Sequence, residues 1–189
     1  MALINEVFAG WFDDHNKAIG GNVYALTILL RIKSGRAQRL RADIRALRDD
    51  SPFEAIAGTH FARLVILDRL AFEGPVQDAP DTRGELLLFT AVVDGDEWDG
   101  YLGQLRHERL QPVWDACAGV PAADDEHGFS AWLLANRLAP SAFYFHYDAT
   151  VDEAREALRL RDRVREFALA NKYVTPKALR DNFRTEFKS

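Results

Sequence analysis

The order of segments in this chain predicts an α+β fold with a ferredoxin-like βαββαβ core and added helices. Three observations carry that expectation. VYALTILLRI (23–32), THFARLVILD (59–68) and ELLLFTAVVD (85–94) have the length and the β-branched and aromatic content of strands. Between the first two lies RAQRLRADIRALRDD, which repeats at helical period. SAFYFHYDA (141–149) then reads as a fourth strand, followed by the amphipathic VDEAREALRLRDRVREFALAN (151–171).

Taken in order, residues 2–19 can form an N-terminal helix with Leu3, Val7, Phe8 and Phe12 on one side, ended by Gly20 and Gly21. The strand 23–32 follows, apolar at both parities: Tyr24, Leu26, Ile28 and Leu30 on one face, Val23, Ala25, Thr27 and Leu29 on the other. In the next helix Ala37, Leu40, Ile44 and Leu47 form a single stripe, and Asp49-Asp50-Ser51-Pro52 stops it because proline cannot continue the hydrogen-bond ladder. Residues 69–84, rich in Gly, Pro and Asp, make a longer connection than a tight hairpin needs. From Asp96 the pattern is helical through Trp98, Leu102, Leu105, Leu110, Val113 and Trp114, with Pro112 dividing it, and GFSAWLLANRL (128–138) is a further short helix. In 151–171, Ala154, Leu158, Val164 and Phe167 are placed to face a sheet.

A chain of 189 residues that is 48% apolar can bury its own core, so one domain over 1–189 is expected, with the core at about 23–167 and a polar C-terminal extension at 172–189 that can end in a helix. The formal charge of -5 offers no general attraction for nucleic acid or acidic membranes. Cys117 is the single cysteine, which removes internal disulfides and Cys-based metal clusters and suits a reducing, cytoplasmic setting. The opening MALINEVFAGWFDDH has neither the basic leader nor the long apolar run of a signal peptide, and no later stretch is long enough to span a bilayer. Strands apolar on both faces leave an uncovered sheet surface, which predicts a homodimer packed sheet to sheet.

The candidate site begins with a polar intruder: THFARLVILD opens on a histidine and carries an arginine three residues on. Antiparallel pairing that opposes Asp68 to Leu86 and Leu64 to Thr90 also opposes His60 to Asp94, on one face. A carboxylate beside an imidazole fixes its tautomer and prepares it as an acid or base, or steadies it against a metal. His60, Asp94 and Arg63 are therefore the candidate catalytic residues, although Arg63 has the opposite parity and joins them only if the strand bends or bulges. Tyr24, Tyr144 and His146 are candidate substrate contacts, the last two sharing a face within FYFHY. The competing reading makes His60 a satisfied structural histidine and Asp94-Gly95 a helix cap. No HExxH, CxxC pair, glycine-rich nucleotide loop or GxSxG is present, so no metal is assigned and the cofactor is unknown.

YALTILLRIKSG, SPFEAIAGTHFARLVILD and LLLFTAVVDGDEWDGYL together resemble a family of small bacterial proteins placed with the dimeric α+β barrel proteins, whose wider superfamily includes dye-decolourising peroxidases, chlorite dismutases and small monooxygenases. The resemblance spans about 23–167 and is most specific in THFAR and VDG. It implies a dimeric α+β barrel and brings haem into question as a cofactor, yet the chain lacks GxxDG and has no histidine within 151–171 for a proximal ligand. The resulting expectation is an oxidoreductase or related small-molecule enzyme acting on an apolar or aromatic substrate, with His60 as acid or base. The alternative is a noncatalytic protein binding haem or an aromatic metabolite.

Overall fold

Every second residue of VYALTILLR is drawn under a layer of helices, and this alternation organises the first part of the molecule. The computed structural model describes residues 23–68, 84–95, 98–139, 143–146 and 149–187. They fall into two compact units, Met1–Asp148 and Ala149–Ser189. The expected N-terminal helix and most of the 69–84 connection lie outside the described residues.

In the first unit β1 (Val23–Arg31), β2 (Thr59–Leu67) and β3 (Leu86–Asp94) form a three-stranded sheet in the order β1-β3-β2, antiparallel at both junctions. α1 (Ala37–Ala46) carries the chain from β1 to β2, across the central strand. β3 alternates strictly: Leu87, Phe89, Ala91 and Val93 are buried, and the residues between them are half-buried. Cross-strand pairing aligns these with Tyr24, Leu26, Ile28 and Leu30 of β1 and with Ala62, Leu64 and Ile66 of β2. The expected stripe of α1 closes over this face, Ala37 and Leu40 fully and Ile44 and Leu47 in part.

The helices that follow supply the rest of the core: α2 (Trp98–Gln104), α3 (Gln111–Asp115) and α4 (Glu126–Ala135). Pro112 falls in the first turn of α3, where its missing N–H costs nothing, so it starts a helix rather than kinking one. Trp114 is fully buried, edge-on to Phe89 at 5.6 Å and to Phe129 at 6.1 Å, and its indole N–H donates to the Leu105 carbonyl at 2.7 Å. That bond satisfies the one polar atom of a large apolar side chain. Arg106 then ties the approach to α4, donating to the carbonyls of Ala122 at 2.9 Å and Asp125 at 2.8 Å while lying over the Phe129 ring.

The ferredoxin-like arrangement is not formed, and the sheet is not closed into a barrel. A fourth strand would lie beside β1, but among the described residues 143–146 are irregular. The free edge of β1 is instead met by two short segments. Leu29 N–H donates to the Asn136 carbonyl at 3.1 Å and Leu138 N–H to the Thr27 carbonyl at 2.8 Å; Ala118 N–H donates to Arg31 at 2.8 Å, and Lys33 N–H to Ala116 at 2.8 Å. These contacts use the groups that another strand would need, which is why FYFHY, strand-like in composition, has no ladder to join there.

The second unit is a helical hairpin of α5 (Val151–Ala170) and α6 (Pro176–Glu186). Thr150 and Glu153 form a reciprocal capping box at the start of α5, and those hydrogen bonds from Thr150 hold the Glu153 carboxyl below its ordinary pKa. Thr175 caps α6. Phe167 packs on Phe183 and Phe187, and Arg163 donates to Glu186 while lying over Phe187. Of the residues expected to face a sheet, Leu158 and Val164 are about half exposed.

Cys117 sits at one of the β1 edge bridges, fully buried, its thiol against the Val113 carbonyl at 3.5 Å. Burial pushes its pKa up to about 12, outweighing the opposing charge of Lys33. The thiolate is therefore scarce at neutral pH. Cys117 is expected to react with an aromatic disulfide reagent at pH 8 only as fast as the protein opens, and rapidly in denaturant; equal rates in both conditions would contradict its burial.

Candidate functional site

From Leu67 to Phe61, β2 runs in regular register with β3, pairing Leu67 with Leu86, Arg63 with Thr90 and Phe61 with Val92. Continued without interruption, that ladder would oppose His60 to Val93 and turn its ring toward the helices. Thr59 takes the place opposite Val93 instead, and His60 is the extra residue of a β-bulge. The bulge frees the imidazole to meet the side chain at the end of β3. His60 Nε2 lies 2.6 Å from Asp94 Oδ1, with the two side chains only 12% and 20% exposed.

The register expected from the sequence, with Leu64 opposite Thr90 and His60 opposite Asp94, is thus displaced by one residue along the ladder. The anticipated pair nevertheless forms, through a bulge rather than through direct cross-strand opposition. With its proton on Nε2 the ring donates to the carboxylate and keeps Nδ1 as an acceptor; with both nitrogens protonated the two groups form an ion pair.

Several residues that sequence reasoning passed over hold this geometry. The Gly58 carbonyl accepts from Asp94 N–H at 2.8 Å, and Gly58 has φ +71°, a conformation that disfavours any side chain. A Cβ there would lie 3.2 Å from Asp94 Cβ. Thr59 Oγ1 donates to the Ile56 carbonyl at 3.0 Å and stands 3.3 Å from the Tyr101 hydroxyl. Tyr101 is buried, and desolvation raises its pKa against the smaller opposing effect of the Thr59 contact. Gln104, one turn on in α2, accepts from Ala57 N–H at 2.9 Å. The turn bearing His60 is therefore bound to α2 on one side and to β3 on the other. The signal in the sequence is a glycine two residues before the histidine, whose meaning depends on a contact with residue 94.

Asp94 belongs to the face of the sheet turned away from the core. Phe145 comes to this end as well, its ring centroid 5.3 Å from that of His60. Sequence parity had grouped Tyr144 and His146 as the functional pair of FYFHY. In the structure Tyr144 is 70% exposed, its hydroxyl 3.2 Å from His146 Nδ1, and it is Phe145 between them that reaches the site. Tyr24 pairs with Val93 and is buried on the opposite, helix-covered face. Arg63 shares the outer face with Asp94, because the bulge changes the parity between residues 60 and 63, but it stands two cross-strand rows away from the pair.

Among the described residues no group of three His, Cys, Asp or Glu side chains is placed to hold a metal ion. A cleft of about 540 Å³ in the helical unit, lined by Arg163, Phe167, Asn171, Asn182 and Glu186, includes none of the predicted site residues.

No protein-family model, curated protein or solved structure matches this chain. The resemblance to the dimeric α+β barrel proteins is therefore not sustained, and the open three-stranded sheet contradicts the barrel it implied. The ferredoxin-like, oxidoreductase and haem-binding expectations fall with it. No described helix is long and apolar enough to cross a membrane.

Replacing Gly58 with alanine is expected to cost about 1–2 kcal/mol from the backbone conformation alone. Because the new methyl also presses on Asp94, the imidazole proton resonances of His60 should shift in the same variant. Urea unfolding and NMR measure the two effects separately; wild-type stability with unmoved resonances would contradict the supporting role assigned to Gly58.

Proposed function

We propose that the His60–Asp94 end of the outer sheet face is a small-molecule site for an apolar or aromatic compound, with His60 exchanging a proton and Asp94 orienting it. The observation that carries this reading is the 2.6 Å imidazole–carboxylate contact formed at a bulge, with an aromatic ring beside it. A bulge at a strand end re-aims one side chain at the expense of regular pairing, and such devices recur next to binding sites. Phe61, half exposed, and Val92 in the adjoining row offer an apolar surface for the body of a ligand. In this arrangement the carboxylate sets the tautomer and fixes the ring plane, while Nδ1 is the nitrogen left to serve as base.

His60→Gln keeps hydrogen-bonding capacity without the titrating ring, and Asp94→Asn keeps shape without the charge. If the pair works as a unit, each single change should lower activity or ligand affinity by about tenfold or more, and the double change should cost little beyond the worse single one. Additive losses would separate the two residues. Unchanged binding and turnover in both single variants would return His60 to a structural role.

The same face carries a second proposal. Away from the pair, Val65, Leu67, Leu86, Leu88 and Leu29 make an apolar patch that is only half-buried. A second copy of the chain packed on this end gives a homodimer and leaves the His60 end open. Such a cytoplasmic homodimer should sediment at twice the 21.4 kDa chain mass and persist on dilution. A folded monomer throughout the micromolar range would reject it, without bearing on the His60 site.

A further inference from the structure

Set out row by row, the outer sheet face has a feature that apolar binding does not use. Its cross-strand rows run Phe61–Val92–Ala25, then Arg63–Thr90–Thr27, then Val65–Leu88–Leu29. One polar row, a guanidinium and two hydroxyls on three adjacent strands, lies between apolar rows. Neighbouring strands are about 4.8 Å apart, so these three side chains share a strip roughly 10 Å long.

The arginines of this unit differ in how they are held, and Arg63, like the exposed Arg36, Arg45 and Arg48, has no side-chain partner among the described residues. Arg41 is paired with Asp68 and Glu85, Arg109 with Asp50, and Arg106 with backbone carbonyls. Arg63 is exposed and, among the described residues, has neither an acidic partner nor a carbonyl. A solvated surface arginine explains the charge alone. It does not explain why the two residues in line with it, between the rows Phe61–Val92–Ala25 and Val65–Leu88–Leu29, are both threonine. Guanidinium and hydroxyl groups side by side make a donor set for a planar carboxylate, the guanidinium offering two parallel N–H groups and each hydroxyl one O–H.

We propose that the Arg63–Thr90–Thr27 row binds the carboxylate of the ligand, and that the apolar or aromatic body of that ligand lies over Phe61 and Val92 toward His60. The ligand class is thereby narrowed to small apolar carboxylic acids. This rests on the small-molecule reading of the His60 end and adds the anion to it. Thr90 and Asp94 are four residues apart along β3, about 14 Å at roughly 3.4 Å per residue. That interval suits a body of about two rings.

Biphenyl-4-carboxylate and its uncharged analogue biphenyl-4-carboxamide test the proposal by calorimetric titration of the full chain at pH 7.5. Wild-type protein is expected to bind the carboxylate about tenfold or more tightly than the amide, the scale of a charge-assisted hydrogen bond. Arg63→Gln should bring the two affinities together and leave the amide nearly unchanged. Arg63→Lys should keep part of the preference, since it retains the charge and loses the fork. Thr90→Val should weaken the carboxylate alone, by about threefold. Because Arg63 is exposed and Thr90 is only half-buried, these variants are expected to keep wild-type unfolding curves.

Equal binding of the two probes by wild-type protein, or an equal loss of both in Arg63→Gln, overturns the carboxylate assignment. If amide binding then still depends on His60, the small-molecule reading stands without the anion. Binding of neither probe rejects both.

Discussion

β3 is bonded on both edges along its whole length, and the rest of the first unit is arranged around that constraint. A central strand with its backbone satisfied from Leu86 to Asp94 cannot rotate, so the period of two assigns each of its side chains permanently to one face. One set, Leu87, Phe89, Ala91 and Val93, is sealed under Trp114 and the helices. The other set is left outside, and Asp94 is its last member. The carboxylate is thus held by the same ladder that fixes the core, and its position does not depend on a loop.

What the ladder does not dictate is the partner. A regular continuation of β2 would have delivered the histidine to the wrong face, and the extra residue at position 60 corrects this locally. The cost is a disrupted pairing at the strand entrance, offset by the Gly58 carbonyl, the Thr59 hydroxyl and the contacts to Tyr101 and Gln104. A bulge supported from two elements is a stiff device, and stiffness is what an acid–base group requires if its ring plane is to be kept.

Much of this was legible in the sequence, for identifiable reasons. The three strands and the stripe of Ala37, Leu40, Ile44 and Leu47 follow from composition and periodicity, which are local, whereas the buried face of β1 and β3 does not, because both of their parities are apolar. The meeting of His60 and Asp94 was anticipated because two polar residues ended two otherwise apolar strands. Its register was not, since a one-residue slip compensated by a bulge leaves no trace in composition. Arg63 joins the outer face through that same bulge, the condition its parity in the sequence requires. Tyr24 was set with the site although its parity places it in the core. Phe145 was overlooked because FYFHY was read as a strand with two faces, and a segment without a ladder has no faces to assign. The fourth strand failed for a non-local reason: the edge it needed was taken by residues 116–118 and 136–138, whose own sequences carry no strand signal.

Those edge contacts bear on how the protein behaves at high concentration. A bare β-strand edge is a template on which another chain can add, and exposed edges are a recurrent route to ordered aggregates. Along β1 the carbonyls of Thr27 and Arg31 and the N–H groups of Leu29 and Lys33 are already taken by short pieces of the same chain. A foreign strand would have to displace two pieces, one of them anchored at buried Cys117, before it could pair there. Growth of fibrils from this edge is thereby disfavoured.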